Sequence, residues 1–363
     1  KFRFYLREGV RFHDGRRLTA RDVRYSFEHL LQNKETQYRW LLSPIRGAKE
    51  ILNGTVRELA GFKIVSALEF VVELDQPLSF FPALLAYTAT SIIPEGTEKF
   101  HGSWREGCAG TGPFRAISFD PGRSLKVEAN PDYWRAGYPK LEYIEFSFGL
   151  SPAESLAGFK SGRYSLAMDL VPADVEALLH EPEYASNFSE IPNLITYYVV
   201  MNIHLDPLQD ERIRHQLIDS LNVASLTRRN IGRLAVPANS LTPSGLLGYE
   251  PAPRIIAPAP AKKSGASEME LSAMLHSIYQ SRYTGFTRDL FQNMADRGFP
   301  INIVETKGEF LPASAYPAVH LNLTRWVADY PDADTFMYYL LHSQNGVEGF
   351  FCGNADLDRL LEK

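Results

Sequence analysis

Val319-His-Leu-Asn-Leu-Thr-Arg-Trp326 runs directly into Val327-Ala-Asp-Tyr-Pro-Asp-Ala-Asp-Thr335, and the junction between the two decides the fold. The first stretch is apolar enough to be a strand. The second is the densest polar feature in the chain. Trp326 and Asp329 therefore fall at a strand's C-terminal end, which in open α/β sheets is where ligands bind. Asp329 is read as a buried anion awaiting a cationic partner. Burying it unpaired is costly, so protein or ligand must answer it. Trp326 and Tyr330 are read as apolar and cation–π walls of the same site. Asp332 and Asp334 fit better as acids at the N-terminus of a helix over 332–341, where they favour the dipole.

Working outward, Thr196-Tyr-Tyr-Val-Val-Met-Asn202 is a second buried strand. Ile301 to Glu305 is a third, and Glu270 to Ser277 a fourth with a helix as rival. Between them, Asp210 to Leu221 places Ile213, Leu217 and Leu221 on one helical face. Tyr283 to Arg297 turns Phe286, Leu290, Phe291 and Met294 inward and stops at Gly298. Nearer the start, Thr19 is a good N-cap with Asp22 in the capping-box position, ahead of a helix carrying Val23, Phe27, Leu30 and Leu31. Phe62 to Ser66 and Glu69 to Leu74 read as a hairpin. Phe114 to Ser118 and Ser124 to Ala129 read as strands around the turn Asp120-Pro-Gly122, and Leu141 to Phe148 alternates as another strand. Strands and helices alternate, with paired strands mixed in, which argues for α/β lobes on mixed sheets. The proline-rich stretch from Pro251 to Pro260, followed by Lys262 to Ser267, is read as a surface loop or extended connector.

A chain of 363 residues is too long for one ordinary core and points to two lobes. The net charge of −5 argues against a large nucleic-acid footprint, which needs a basic face. No apolar run is long enough to span a membrane. The start reads as a strand already in progress rather than a signal peptide, and the end as a helix cut short. Cys108 and Cys352, the two cysteines, make a poor metal site. They are read as small half-buried residues, with one long-range bridge as the alternative in an oxidising compartment.

Catalytic signatures are missing. There is no G-x-S-x-G and no Walker A, and Gly110-Thr-Gly112 is too short for a dinucleotide fingerprint. The glycines there are read as a tight crossing of backbone on backbone. His13 beside Asp14 and Gly15 is read as a turn histidine, because no H-x-x-x-H or C-x-x-C provides further metal ligands.

Six segments, taken in order, resemble family 5 extracellular solute-binding proteins, the peptide- and nickel-binding group of ABC importers. They are Phe4 to Gly15, Leu18 to Val23, Gly110 to Phe114, Asn130 to Arg135, Tyr197 to Asn202 and Trp326 to Asp332. The resemblance implies an α/β, two-lobed periplasmic-binding-protein-like (type II) fold with mixed sheets and a hinge. Lobe I, incomplete, is expected from 1–112 plus 327–363, and lobe II from 113–326. The hinge crossings are expected near 110–114 and 323–329.

The implied function is capture of a small peptide or peptide-like solute in an interlobe cleft and delivery to an ABC permease. The chain is expected to be a monomer without catalysis, cofactor, metal or nucleic-acid partner, and to meet the membrane only indirectly. Its implied place is periplasmic or extracellular, as a free or lipid-anchored protein. In peptide-binding members the aspartate of the Ala-Asp-Tyr step pairs with the ligand's α-amine, which maps onto Asp329. The expected ligand-binding set is Asp329, Trp326, Tyr330, Gly110, Thr111 and Tyr87. Sugars, nickel chelates and opines are also taken by this family, so the resemblance does not single out the solute. The alternative is a ligand-sensing domain of a kinase or transcription-factor fusion, which would be cytoplasmic. A hydrolase built on Asp329 and Asp332 has only their proximity in its favour.

Overall fold

Local capping and alternation set the first elements as the sequence predicts. The computed structural model describes residues 1–97, 110–238, 240–249, 251, 269–306 and 313–362. The chain divides into two compact units, Lys1–Leu150 and Ser151–Lys363. Cys108 and, past Pro251, the predicted connector as far as Ser267 lie outside the described residues.

In the first unit, Thr19 caps the helix Ala20–Gln32, and the capping box with Asp22 is complete. The second oxygen of Asp22 accepts from the Glu95 N–H at 2.9 Å, so one buried carboxylate satisfies two loops. Val23, Phe27 and Leu31 bury the inner face of this helix. It packs on a three-stranded antiparallel sheet made of β1 (Phe2–Tyr5), β2 (Phe62–Ser66) and β3 (Glu69–Val72), in the order β1-β3-β2. The Phe27 ring meets Phe62 edge-on at 5.8 Å, and Phe62 stacks on Phe70 at 4.8 Å. Just beyond β3, the buried Glu73 takes Lys1, Lys63 and Arg46 as partners. Hydrogen bonds from Lys1 and Lys63, then the Arg46 charge, hold its carboxyl down at about 2. A second sheet, an antiparallel meander of β4 (Phe114–Asp120), β5 (Ser124–Ala129) and β6 (Tyr143–Ser147), completes the unit. The predicted turn between β4 and β5 needs Gly122, whose φ is +73°.

The second unit is organised by one four-stranded mixed sheet of β7 (Ile195–Met201), β8 (Leu271–Leu275), β9 (Ile301–Ile303) and β10 (Leu321–Val327), in the order β7-β10-β8-β9. β10 is antiparallel to β7 over seven residue pairs and parallel to β8, which is parallel to β9. The β8–β9 crossover carries the helix Thr284–Ala295, as parallel strands require a long connection. Leu290 and Met294 of this helix, with Leu217 and Leu221 around the helix Glu211–Ser220, bury one face of the sheet against Leu271, Ala273, Leu321 and Leu323.

Two expectations are settled or revised here. Residues 271–275 form a strand rather than the rival helix, and His276 caps the next helix by accepting from the Ile278 N–H. The helix predicted over 332–341 is broken into a 3-10 turn, Ala333–Thr335, and a short helix, Tyr338–Leu341. Asp332 caps the first by accepting from the Asp334 N–H at 3.0 Å. The helical spacing survives the break, because Phe336 and Leu340 are both buried against Trp326.

Candidate functional site

Period-two alternation gives β10 two unlike faces. Leu321 and Leu323 enter the large core on one side. Asn322 and Trp326 turn to the other side, where a buried polar cluster and a smaller apolar cluster wait. Glu348 is 2% exposed and accepts from Asn322 Nδ2 at 3.1 and 3.2 Å and from the Tyr198 hydroxyl at 3.2 Å. Burial raises the Glu348 carboxyl above the ordinary carboxylate range against the pull of those donors. These donors join β7, β10 and the segment after residue 347 through one carboxylate.

Trp326 is 8% exposed, and its indole N–H donates to Thr335 Oγ1 at 3.1 Å among Phe336 and Leu340. Tyr330 is 3% exposed, and its hydroxyl donates to Asp334 Oδ2 at 2.5 Å. Burial, the hydrogen bond to Asp334 and the neighbouring carboxylates push the Tyr330 phenol well up. Burial, then the Asp332 charge, raises the Asp334 carboxyl. Trp326 thus belongs to the packed side of the strand and Tyr330 is buried against Asp334, where the sequence led us to expect ligand walls.

The ladder runs past β10, since the Ala328 N–H donates to Leu194 O at 2.8 Å. Asp329 follows at once and is half-buried. Val327, 47% exposed, separates it from Arg325. Arg325 is half-buried and lies in register with Tyr197. Its charge acts on Tyr279 and Tyr283, whose phenols are pushed up mainly by burial. Tyr197 meets both of those rings edge-on, at 6.3 and 5.5 Å. The Tyr279 hydroxyl donates to Thr324 O at 3.0 Å, fixing the strand at this end. Sequence reading missed Arg325, although counting back from Asp329 in steps of two reaches it.

The other expected residues belong to the first unit. His13 holds the glycine segment: its N–H donates to Gly110 O at 2.9 Å, and the Gly110 N–H donates to Nδ1 at 3.3 Å. With Nδ1 accepting, Nε2 carries the proton and donates to Gly112 O at 3.0 Å. Asn130 Nδ2 donates to the same oxygen at 3.0 Å. Thr111 is held between these anchors, half-buried. Close backbone approach is therefore real, but steric need for glycine is not: a Cβ on Gly110 would meet the His13 ring at 3.6 Å, an ordinary contact. Tyr87, half-buried, stacks obliquely on Tyr38 at 5.2 Å, and its carbonyl accepts from the Thr90 hydroxyl at 2.7 Å. Three of the six expected residues thus lie in each unit. Among the described residues no group of three His, Cys, Asp or Glu side chains is placed to hold a metal, and no helix is long and apolar enough to cross a membrane.

This architecture is that of a type II periplasmic binding protein. Solved structures with the same fold include the Escherichia coli murein tripeptide-binding protein MppA, with a TM-score of 0.80 and 20% identity over 99% of this chain and 74% of that one. Haemophilus influenzae OppA in complex with RPPGFSPFR is another, with a TM-score of 0.76 and 19% identity over 98% and 74%. The chain belongs to the bacterial extracellular solute-binding proteins, family 5, whose "Middle" description matches residues 1–348. Among curated relatives, the glutathione-binding protein GsiB of Salmonella paratyphi A is 25% identical over 94% of this chain and 66% of its own length. The oligopeptide-binding protein OppA of Bacillus subtilis is 28% identical over 69% of this chain and 47% of its own length. The chain spans about two thirds of the length of the first of these, 66%.

Proposed function

We propose that this chain is the solute-binding component of an ABC importer and that its solute is a small peptide or peptide-like molecule. The observation that carries the reading is Asp329, which leaves the carboxyl end of the sheet's interior strand in a chain of this family. In this reading Asp329 pairs with the ligand's α-amine. Gly110, Thr111 and Tyr87 contribute from the first unit, and Trp326 and Tyr330 hold the Asp329 loop in place from behind. The lobe boundaries 1–112 with 327–363, and 113–326, with crossings near 110–114 and 323–329, are part of the same reading. So are a monomeric state, a periplasmic or extracellular location and the absence of catalysis. The relatives matched are named for binding solutes, and the regulator-fusion alternative gains no support from them.

Calorimetry with trialanine and N-acetyl-trialanine tests the reading. Wild type is expected to favour the free amine, and Asp329→Asn to weaken trialanine about tenfold or more while leaving the acetylated form little changed, the scale of a charge-assisted hydrogen bond. Equal losses for both peptides would remove the amine-pairing role.

A further inference from the structure

A turn accounts for Asp14 and Gly15 but not for the reach of His13. Asp14 accepts from the Arg16 N–H at 3.0 Å, and Gly15 takes the bend at a φ of +87°. His13 instead commits its main-chain N–H and both ring nitrogens to Gly110 and Gly112, 97 and 99 positions away. That pattern admits one form of the imidazole. Nδ1 must show a lone pair to the Gly110 N–H, and Nε2 must show a proton to Gly112 O. The other neutral tautomer reverses both contacts. The doubly protonated ring sets its Nδ1–H against the Gly110 N–H. The far side of the segment is held by groups that do not titrate. Asn130, 4% exposed, donates from Nδ2 to Gly112 O at 3.0 Å and from its N–H to Pro113 O at 2.8 Å. A second proton on His13 therefore releases the Gly110 end and leaves the Gly112 end anchored.

Between the two anchors stands Thr111. Among the described residues its N–H, its C=O and its hydroxyl make no hydrogen bond, although it is half-buried. A main-chain donor and acceptor that the fold leaves uncommitted, on a residue fixed from both sides, match the amide unit of an extended peptide. Fixing them in advance lowers the entropy lost on binding. The charged groups of the histidine's own turn are Asp14, paired with Arg16 at 2.8 Å, and Arg11 and Arg17, which bridge across the turn. Arg16 also joins the turn to the Glu95 segment by donating to Glu95 O at 3.1 Å. Asn130 and Gly110 to Gly112, on the other side of the ring, carry no charge.

We propose that His13 is a positioning residue of the solute site. Its neutral imidazole holds Gly110 to Gly112 so that Thr111 presents its main chain to the peptide, and a second proton on the ring releases that hold. The proposal rests on the peptide reading above for the solute and for the part played by Thr111, but not for the hold of His13 on the glycine segment.

The test uses the full chain and trialanine, by calorimetry from pH 8 down to pH 5. Wild type is expected to lose affinity about fivefold or more across that range, the scale of one hydrogen bond. His13→Ala is expected to bind about tenfold more weakly than wild type at pH 8 and to show a flat profile. The side-chain oxygen of His13→Asn can accept in place of Nδ1 without titrating, so this variant is expected to recover part of the affinity with the profile still flat. Should His13→Ala fail to fold, the wild-type and His13→Asn profiles decide alone. A flat wild-type profile, or a variant that keeps the wild-type profile, overturns the proposal and leaves the peptide reading standing. If trialanine does not bind wild type at any pH, the peptide reading falls. The hold is then judged without ligand, on the Gly110 amide, by hydrogen exchange followed with nuclear magnetic resonance. Protection that drops with pH in wild type and stays constant in His13→Asn supports the hold, and constant protection in wild type overturns it.

Discussion

Removing the Glu348 carboxylate should loosen the strand that carries the candidate site without touching the site. In Glu348→Ala, Asn322 Nδ2 and the Tyr198 hydroxyl lose the acceptor they share. Each buried donor left unsatisfied costs about 1–3 kcal/mol. Relief from burying a raised-pKa carboxylate offsets part of this, so a net loss of about 2–4 kcal/mol is expected near neutral pH. Glu348→Gln keeps an acceptor oxygen in place and sheds the charge, so its loss should be about 1 kcal/mol or less.

The pH dependence separates the two effects. Because burial raises the folded-state pKa of Glu348, the native state retains a proton that the unfolded chain releases. Its contribution to stability is fully present below the ordinary glutamate value of about 4.3 and is lost as pH rises through the raised value. Wild type should therefore lose stability on Glu348→Gln as its reference over that window, and the gap between them should close or reverse toward alkaline pH. Hydrogen exchange of peptides covering Ile195–Met201 and Leu321–Val327 reads the stability of this sheet alone, which suits a chain of two units. Glu348→Ala matching wild-type protection, or Glu348→Gln being as damaging as Glu348→Ala, would refute the reasoning.

Glu73 should behave in the opposite sense. Its carboxyl is held down at about 2, so its contribution to the first unit is present above about 4.3 and is lost as pH falls through about 2. Glu73→Gln should lower the stability of that unit at pH 7, with the difference from wild type shrinking toward pH 2 in a denaturation series. A constant difference across the series would discount the three-cation cluster. Cys352 should resist alkylation, because burial and the Glu348 charge push its thiol up to about 12 and its Sγ donates to Glu348 O at 3.4 Å. Iodoacetamide at pH 8 should label it slowly in the native chain and readily in urea. Rapid native labelling, scored by mass spectrometry, would contradict the burial.

What the sequence made legible was local or periodic. Thr19 with Asp22 spelled a capping box, and the apolar runs at 196–202 and 319–326 spelled two strands that do pair. Asp329 was legible as the acid at a strand's carboxyl end. The side of the strand was harder to read, because the Trp326-Val-Ala-Asp-Tyr330 run mixes residues of both faces. Trp326 and Tyr330 looked like walls for Asp329, yet alternation sends Trp326 to the core, and Tyr330 is buried against Asp334. Glu348 was invisible for a different reason. Its donors lie on Tyr198 and Asn322, 150 and 26 positions away, and no short-range pattern links them. The helix over 332–341 was overpredicted because spacing registers Phe336 and Leu340 without revealing that Asp332 caps only a single turn.

The alternation along β10 has an evolutionary consequence. Even-numbered positions such as Asn322 and Trp326 are committed to packing and to Glu348, so changes there disturb folding. Positions 325 and 327 face away from that commitment. Substitution can therefore alter positions 325 and 327 at less cost to folding than their neighbours 322 and 326, with the scaffold inherited intact.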